Sequence, residues 1–284
     1  MTQNNNNNIF EIIDNLNAAV TQSQIKGIFQ RPVLPQNQPA YHLPANIKAL
    51  LELPVEHFRK QALNKSTSAA PLTNVAFILD ESSSMSHGKE ATVEGFNEQV
   101  KVVKDGAEQA GNTTFTDVRF SSEVRLVSLA GNIHSLKPLR YEDYKTDGCT
   151  ALYDAIGATI SALLNTPGID DANTATLVTA FTDGEENKSR IFNSATLKAI
   201  IERLEATGRW TFALVGPLKA VTGLAGALSV NVANIAGFDV SSIADKRNAF
   251  SKVSSATASY MAMRSSGITQ SYSLYNDQDL NSHK

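Results

Sequence analysis

Three short stretches of this sequence concentrate side-chain oxygens. The first reads Asp80-Glu81-Ser82-Ser83-Ser84, an Asp-x-Ser-x-Ser pattern. The second is Asp147-Gly148-Cys149-Thr150, and the third Thr182-Asp183-Gly184-Glu185-Glu186. Together they offer hydroxyls on Ser82, Ser84 and Thr150 and carboxylates on Asp80 and Asp183, with no adjoining histidine or thiolate pair. Hard oxygen donors of low total charge suit an octahedral divalent cation, Mg²⁺ foremost, with Mn²⁺ and Ca²⁺ as alternatives. An ion bound by so few protein carboxylates keeps water ligands and stays a strong Lewis acid toward an incoming carboxylate. The plainer reading of such residues is a helix N-cap or an Asx-turn. The cation reading therefore depends on the elements that carry the three stretches.

Those elements alternate. Val75 to Leu79 and Ala175 to Phe181 are continuous apolar runs, as expected of strands buried on both faces. Each ends directly in one of the oxygen-rich stretches. Helical spacing recurs over Thr92 to Ala110, Ala151 to Leu164, Asn193 to Thr207, Pro217 to Leu228 and Ser242 to Met263. Further strands are expected over Thr113 to Phe120, Val124 to Leu129 and Trp210 to Val215, with a last short one between Val230 and Val240. Thr113 to Phe120 and Val124 to Leu129 are expected to pair through Ser121-Ser122-Glu123. Such alternation predicts an α/β fold, a mostly parallel, doubly wound, Rossmann-like sheet flanked by helices. In that architecture ligands collect beyond the carboxyl ends of strands, where the oxygen-rich stretches stand.

The combination resembles the von Willebrand factor type A family, which carries a metal-ion-dependent adhesion site. That family's motif is Asp-x-Ser-x-Ser after the first strand, a Thr in a Gly-rich loop and an Asp after the fourth strand, often as Thr-Asp-Gly. Here these are Asp80, Ser82, Ser84, Thr150 and Asp183. Thr150 to Gly157 is similar to the family's helix after the Thr. Asn231 to Val240, Ala249-Phe250 and Val253-Ser254 are similar to the closing strand and helix of bacterial members. The resemblance covers roughly residues 73–264. It implies that Ser82 and Ser84 bind the cation directly, Thr150 directly or through water, and Asp80 and Asp183 through water. A partner's Asp or Glu would complete the coordination. Departures are Ser83 where the family commonly has Gly, Glu81 as an added carboxylate near the metal, and Cys149 in place of a small residue.

Outside the resemblance the chain divides further. Residues 1–8 are an Asn-rich arm, expected to be disordered. Residues 9–72 form a helical and Pro-rich extension, with helical spacing over Ile9 to Ile28 and over Ala45 to Leu63, interrupted near Pro54. Between them Pro32, Pro35, Pro39 and Pro44 disfavour both helix and central strand and predict an extended strap, packed along the domain or serving as a recognition ligand. Residues 265–284 are a polar tail. Prolines crowd the first 71 residues, where Gly27 is the lone glycine; the remaining glycines all follow Met85.

Composition excludes several classes. With 25 basic and 28 acidic residues there is no polycationic nucleic-acid surface. No apolar run approaches about 18 residues, so no membrane span is expected. The N-terminus lacks the pattern of a secretory signal. One cysteine excludes an internal disulfide, and a cytoplasmic location is expected. Cys149 has no histidine beside it in sequence, so it reads as a small packed residue and not a nucleophile. The histidines are dispersed, with His87 expected at the surface. Glu185 and Glu186 read as helix-start acids, which favour a helix dipole. No Gly-x-Ser-x-Gly elbow supports a serine hydrolase.

The expected function is therefore a metal-dependent protein-binding module, not an enzyme. It would be an adaptor, of the kind that bacterial family members provide to AAA+ ATPases. The alternative is an assembly protein of a bacterial or phage particle, strapped to its neighbour through residues 1–72. A metal-assisted hydrolase ranks below both. Asp277 and Asp279 in the tail are further candidates to occupy a metal site, their own or a neighbour's.

Overall fold

The computed structural model describes residues 42–63, 71–271 and 273–275. The Asn-rich arm, the helix expected over 9–28, most of the proline strap, and Asp277 and Asp279 lie outside them. Two helices come first, α1 (Ala45–Glu52) and α2 (Val55–Leu63), broken at Leu53-Pro54. Proline removes a backbone donor, so one continuous helix is excluded there. Then follow β1 (Leu72–Asp80), α3 (Lys89–Ala110), β2 (Asn112–Phe120), β3 (Val124–Asn132), α4 (Leu152–Leu163) and β4 (Thr174–Phe181). The chain continues through α5 (Ser194–Ala206), β5 (Trp210–Pro217), α6 (Leu218–Leu228), β6 (Ile235–Phe238) and α7 (Ile243–Arg264).

The six strands form one sheet in the order β3-β2-β1-β4-β5-β6. All neighbours are parallel except β2 and β3, a hairpin turning at Ser121-Ser122-Glu123. This is the α/β architecture that the alternating pattern predicts. After β1 the chain moves to one side, to β2 and β3, and then returns to the other side of β1 as β4. The switch lies between β1 and β4, where Leu79 pairs with Phe181. The connections on either side wind away from that point, leaving a crevice beyond Asp80 and Phe181.

β1 shows why both faces are covered. Ala76 and Ile78 point into one core, with α4, α5 and α6; Val75, Phe77 and Leu79 point into the other, with α3 and α7. All five are completely buried. A strand alternates its side chains between faces, so a strand apolar at every position needs a layer on each. On the second face α7 lies close against α3. A Cβ at Gly95 would come within 2.2 Å of the Phe250 ring, so only glycine permits that approach.

Two segments read from sequence as peripheral are built into these cores. Ile47, Leu50 and Phe58 of α1 and α2 join the first core, and Arg203 of α5 donates to the Leu53 carbonyl at 2.8 Å. At the other end, where a polar tail is predicted, the described residues after α7 pack back on the domain. Leu274 and Tyr275 are buried in the second core. Ser271 N–H donates to Thr211 Oγ1 at 3.0 Å, and Tyr275 N–H to the Ala233 carbonyl at 3.0 Å. Thr269 Oγ1 donates to the Gly208 carbonyl and Gln270 Nε2 to those of Glu205 and Trp210, so polar side chains here satisfy backbone groups at the start of β5, which composition alone does not reveal.

Candidate metal centre

The three oxygen-rich stretches meet at the crevice. Asp80, the last residue of β1, is fully buried. Its Oδ1 accepts from Ser82 N–H at 2.7 Å, and its Oδ2 accepts from Thr182 Oγ1 at 2.6 Å. One carboxylate thus ties the first loop to the third. The Asp80 carbonyl accepts from the hydroxyl of buried Tyr144. Beyond the turn, Ser82 Oγ and Ser84 Oγ share a hydrogen bond at 3.0 Å. Ser82 N–H is thereby an Asx-type turn donor, so the plainer reading of the motif is also true of it. Ser83 opens a short 3-10 turn over Ser83–Ser86. The left-handed residue that follows is Gly88, at φ 72°.

Thr150 arrives from the second loop. Ser83 N–H donates to the Gly148 carbonyl at 3.1 Å, and Asp147 N–H donates to the Glu81 carbonyl at 2.8 Å, so the first two loops are laced together. Gly148 sits at φ 79°, and a Cβ there would come within 2.6 Å of Ser122 Oγ. Thr150 is itself buried and forms a reciprocal pair with Asn187. Thr150 N–H donates to Asn187 Oδ1 at 2.9 Å, and Asn187 N–H to the Thr150 carbonyl at 3.1 Å. Gly184 adjoins both hydroxyls, since a Cβ on it would lie 3.2 Å from Thr150 Oγ1 and 3.3 Å from Ser84 Oγ. The structure therefore brings Asp80, Ser82, Ser84, Thr150 and Asp183 to one place.

Two features bear on whether these residues fit a cation. Asp183 Oδ1 is buried and has no hydrogen-bond partner among the described residues. A buried unsatisfied carboxylate oxygen is costly, and a cation is the group that would satisfy it. In addition, two ligands at right angles on a Mg²⁺ ion with bonds of about 2.1 Å stand about 3 Å apart. The spacing of the two serine hydroxyls matches that edge. Burial pushes the Asp80 carboxyl up to about 6, against its hydrogen bonds from Ser82 and Thr182, and the Asp183 charge adds to the push. Two carboxylates repelling one another in a desolvated crevice are what a divalent cation relieves. The donors fit a hard ion. Among the described residues no three His, Cys, Asp or Glu side chains group as a metal site, so a cation here depends on the serine and threonine hydroxyls.

Several expectations are revised. Glu81 is not an extra metal-side carboxylate: it turns to the β2–β3 side, 2.9 Å from Arg125 Nη2 and 3.8 Å from Arg119 Nη1. Cys149 is exposed, not packed; its N–H donates to Ser122 Oγ at 2.9 Å and its thiol faces solvent. Glu186 does stand at a helix start, though at that of α4 and not of the helix after it in sequence. Its carboxylate accepts from Tyr153 N–H at 2.8 Å and from the N–H groups of Lys188 and Ser189 at 2.7 Å each. Asp154 works in the opposite direction, accepting from the N–H groups of Arg190, Ile191 and Phe192. These two carboxylates pin the 183–193 loop against α4 and so position Asp183 and Asn187. Nothing in the sequence pattern pointed to Thr182, Asn187 or Asp154 as positioning residues, because each acts on a segment distant in the chain.

No family model matches the sequence, and no curated protein matches it. Similar solved structures include the PilB minor pilin from Streptococcus sanguinis, at 13% identity over 69% of this chain and 64% of the pilin, with a TM-score of 0.49. A von Willebrand factor type A protein from Catenulispora acidiphila is similar at 15% identity over 66% of this chain and 43% of that one, TM-score 0.44. The SpRpn10 VWA domain is similar at 13% identity over 64% of this chain and 94% of that domain, TM-score 0.42. This chain therefore spans less than two thirds of the pilin's length.

Proposed function

We propose that this chain is a von Willebrand factor type A domain that binds a divalent cation, Mg²⁺ foremost, and uses it to capture an acidic side chain of a protein partner. Ser82, Ser84 and Thr150 would hold the ion, with Asp80 and Asp183 anchoring it through water. When bound, the ion supplies a Lewis-acidic coordination position for a carboxylate. The residues of the chain do the rest. Asp80 orients Ser82 and Thr182, Asn187 holds Thr150, and Glu186 and Asp154 hold the loop that presents Asp183. The observation that carries this reading is the buried, unpartnered Asp183 Oδ1 at the β1–β4 crevice beside the paired serine hydroxyls.

Binding, not turnover, is the function that this arrangement supports. The Ser84 hydroxyl is paired with Ser82, and no hydrogen bond joins either serine to a histidine among the described residues. A serine without a base is a poor nucleophile. An adaptor role, toward an AAA+ ATPase or another partner presenting Asp or Glu, uses the crevice alone. The assembly reading needs a free strap. α1 and α2 are committed to the core and do not serve as one. Calorimetric titration with Mg²⁺ and Mn²⁺ tests the cation. One site is expected in the wild type and none in Ser84→Ala or Asp183→Ala. Equal uptake by the Asp183→Ala variant would rule the site out.

A further inference from the structure

The first turn of α7 places a lysine beside this crevice. Lys246 is 5% exposed, a burial that lysines rarely reach. Its stem covers Gly88, and its Nζ stands 5.7 Å from the centre of the Phe238 ring. The Nζ donates to the His87 carbonyl at 3.3 Å and forms no ion pair within 4.0 Å among the described residues. An ammonium has three N–H donors, so one long hydrogen bond leaves most of its capacity unused. Burial lowers the Lys246 pKa, while the negative charges of Asp183 and Asp80 favour its charged form. Lys246, Ser84 and Asp183 line a single cavity of about 230 Å³ together with Phe238, Val240 and Ile243. Val240 and Ile243 are 49% and 42% exposed, so their side chains are open to an incoming group.

We propose that Lys246 and the cation site act as a two-point receptor for one carboxylate. One oxygen of the ligand's acid meets the cation at the Ser84–Asp183 wall, and the other accepts from the Lys246 ammonium. The exposed apolar lining, Val240 and Ile243, takes an aliphatic side chain next to that acid. The partner is thus a protein segment that places an Asp or Glu beside an aliphatic residue. Charge complementarity supports this occupant, since the cavity joins a buried cation with spare donors to an apolar face. The inference rests on the cation reading above, and it adds a consequence of its own. Lys246 repels the divalent ion but attracts the ion's ligand, so removing its charge should move the two affinities in opposite directions.

The probe is N-acetyl-Asp-Leu-amide, with N-acetyl-Asn-Leu-amide as its neutral control. It is titrated by NMR into the full chain at saturating Mg²⁺, and Mg²⁺ affinity is measured separately by calorimetry. Lys246→Met is expected to bind Mg²⁺ several-fold more tightly and the Asp peptide about tenfold more weakly. Lys246→Arg should stay within about threefold of wild type for the peptide. If Lys246 only anchors α7, both affinities fall together in Lys246→Met. If it only neutralises Asp80 and Asp183, Mg²⁺ tightens and the peptide is unaffected. Either result overturns the proposal, as does equal binding of the Asn peptide. Lys246→Gln repeats the test should the methionine variant fail to fold. Wild-type protein that takes up no Mg²⁺ overturns the cation reading itself, and that outcome is visible in calorimetry before any peptide is added.

Discussion

Thr182 Oγ1 donates to Asp80 Oδ2 at 2.6 Å, across 102 positions of sequence. This bond closes the gap between the ends of β1 and β4, and both partners are buried. The other oxygen of Asp80 holds the Ser82 N–H, so the position of Ser82 depends on a threonine that is not itself among the proposed cation ligands. Thr182→Val should therefore cost about 1 to 3 kcal/mol of stability, because it leaves a buried carboxylate oxygen without its partner. Mg²⁺ affinity should fall several-fold in the same variant. Urea unfolding and calorimetry measure the two effects, and a variant with unchanged cation affinity would show that Ser82 does not depend on this bond.

Cation binding should be visible as stability. Mg²⁺ at a hundredfold excess over its dissociation constant is expected to add about 2.7 kcal/mol to unfolding, and EDTA to remove the gain. In Asp183→Ala the gain should vanish. Without metal that variant should be at least as stable as the wild type, since it relieves the repulsion on Asp80. Thermal scans with and without Mg²⁺ check both expectations. A stabilisation of equal size in Asp183→Ala would place the ion elsewhere.

Cys149 offers a chemical readout. Its thiol is exposed and adjoins Thr150 in sequence. Alkylation should proceed readily in EDTA and slow severalfold in Mg²⁺, as the loop carrying Thr150 closes on the ion. Mass spectrometry over time gives the two rates. Identical rates would mean that the loop does not respond to the cation.

Stability should also fall as pH rises through the weakly acidic range. Burial, with Glu202 beside it, pushes Glu205 up from 4.5 to about 7. A carboxyl whose folded pKa lies above its unfolded value is stabilising only while protonated. The folded state is thus favoured below about pH 4.5, loses that advantage between 4.5 and 7, and bears the full cost above 7. Glu205 is partly exposed, and solvent screening reduces that cost to about 1 to 2 kcal/mol. Glu205→Gln should recover it at pH 8 and flatten the pH profile. A variant that follows the wild-type profile would assign the pH dependence to another group.

The helices before the sheet should behave as core and not as an appendage. Phe58 is 7% exposed and belongs to the first hydrophobic cluster. Phe58→Ala should cost about 3 kcal/mol through lost burial and the cavity it leaves. Denaturant unfolding should show one transition, at a lower midpoint. A separate early transition would instead mark α1 and α2 as an independent unit.

Legibility followed the distance over which each feature is encoded. β1, β4 and the helices flanking them were readable because burial on two faces, or on one helical stripe, leaves a local apolar pattern. That Asp80, Ser82, Ser84 and Asp183 stand close together was readable for the same reason, as they occupy the ends of two such runs, and Thr150 stands in the loop before a readable helix. Glu81 was misread because its partners, Arg119 and Arg125, stand on β2 and β3. Cys149 was misread because its exposure depends on how the loop lies over Ser122. The segment after α7 was misread because Thr269 and Gln270 there satisfy backbone carbonyls around the start of β5.

By itself, then, the sequence determined which residues can offer oxygen to a hard cation and that strands and helices alternate, both being properties of neighbours along the chain. Only the tertiary structure decided which groups meet. The strand order sets β1 beside β4, which joins Thr182 to Asp80, and the return of α7 over α3 brings Lys246 to a crevice formed more than sixty positions before it. Those contacts follow from sheet topology and from packing of glycine-lined helix faces, neither of which leaves a local mark.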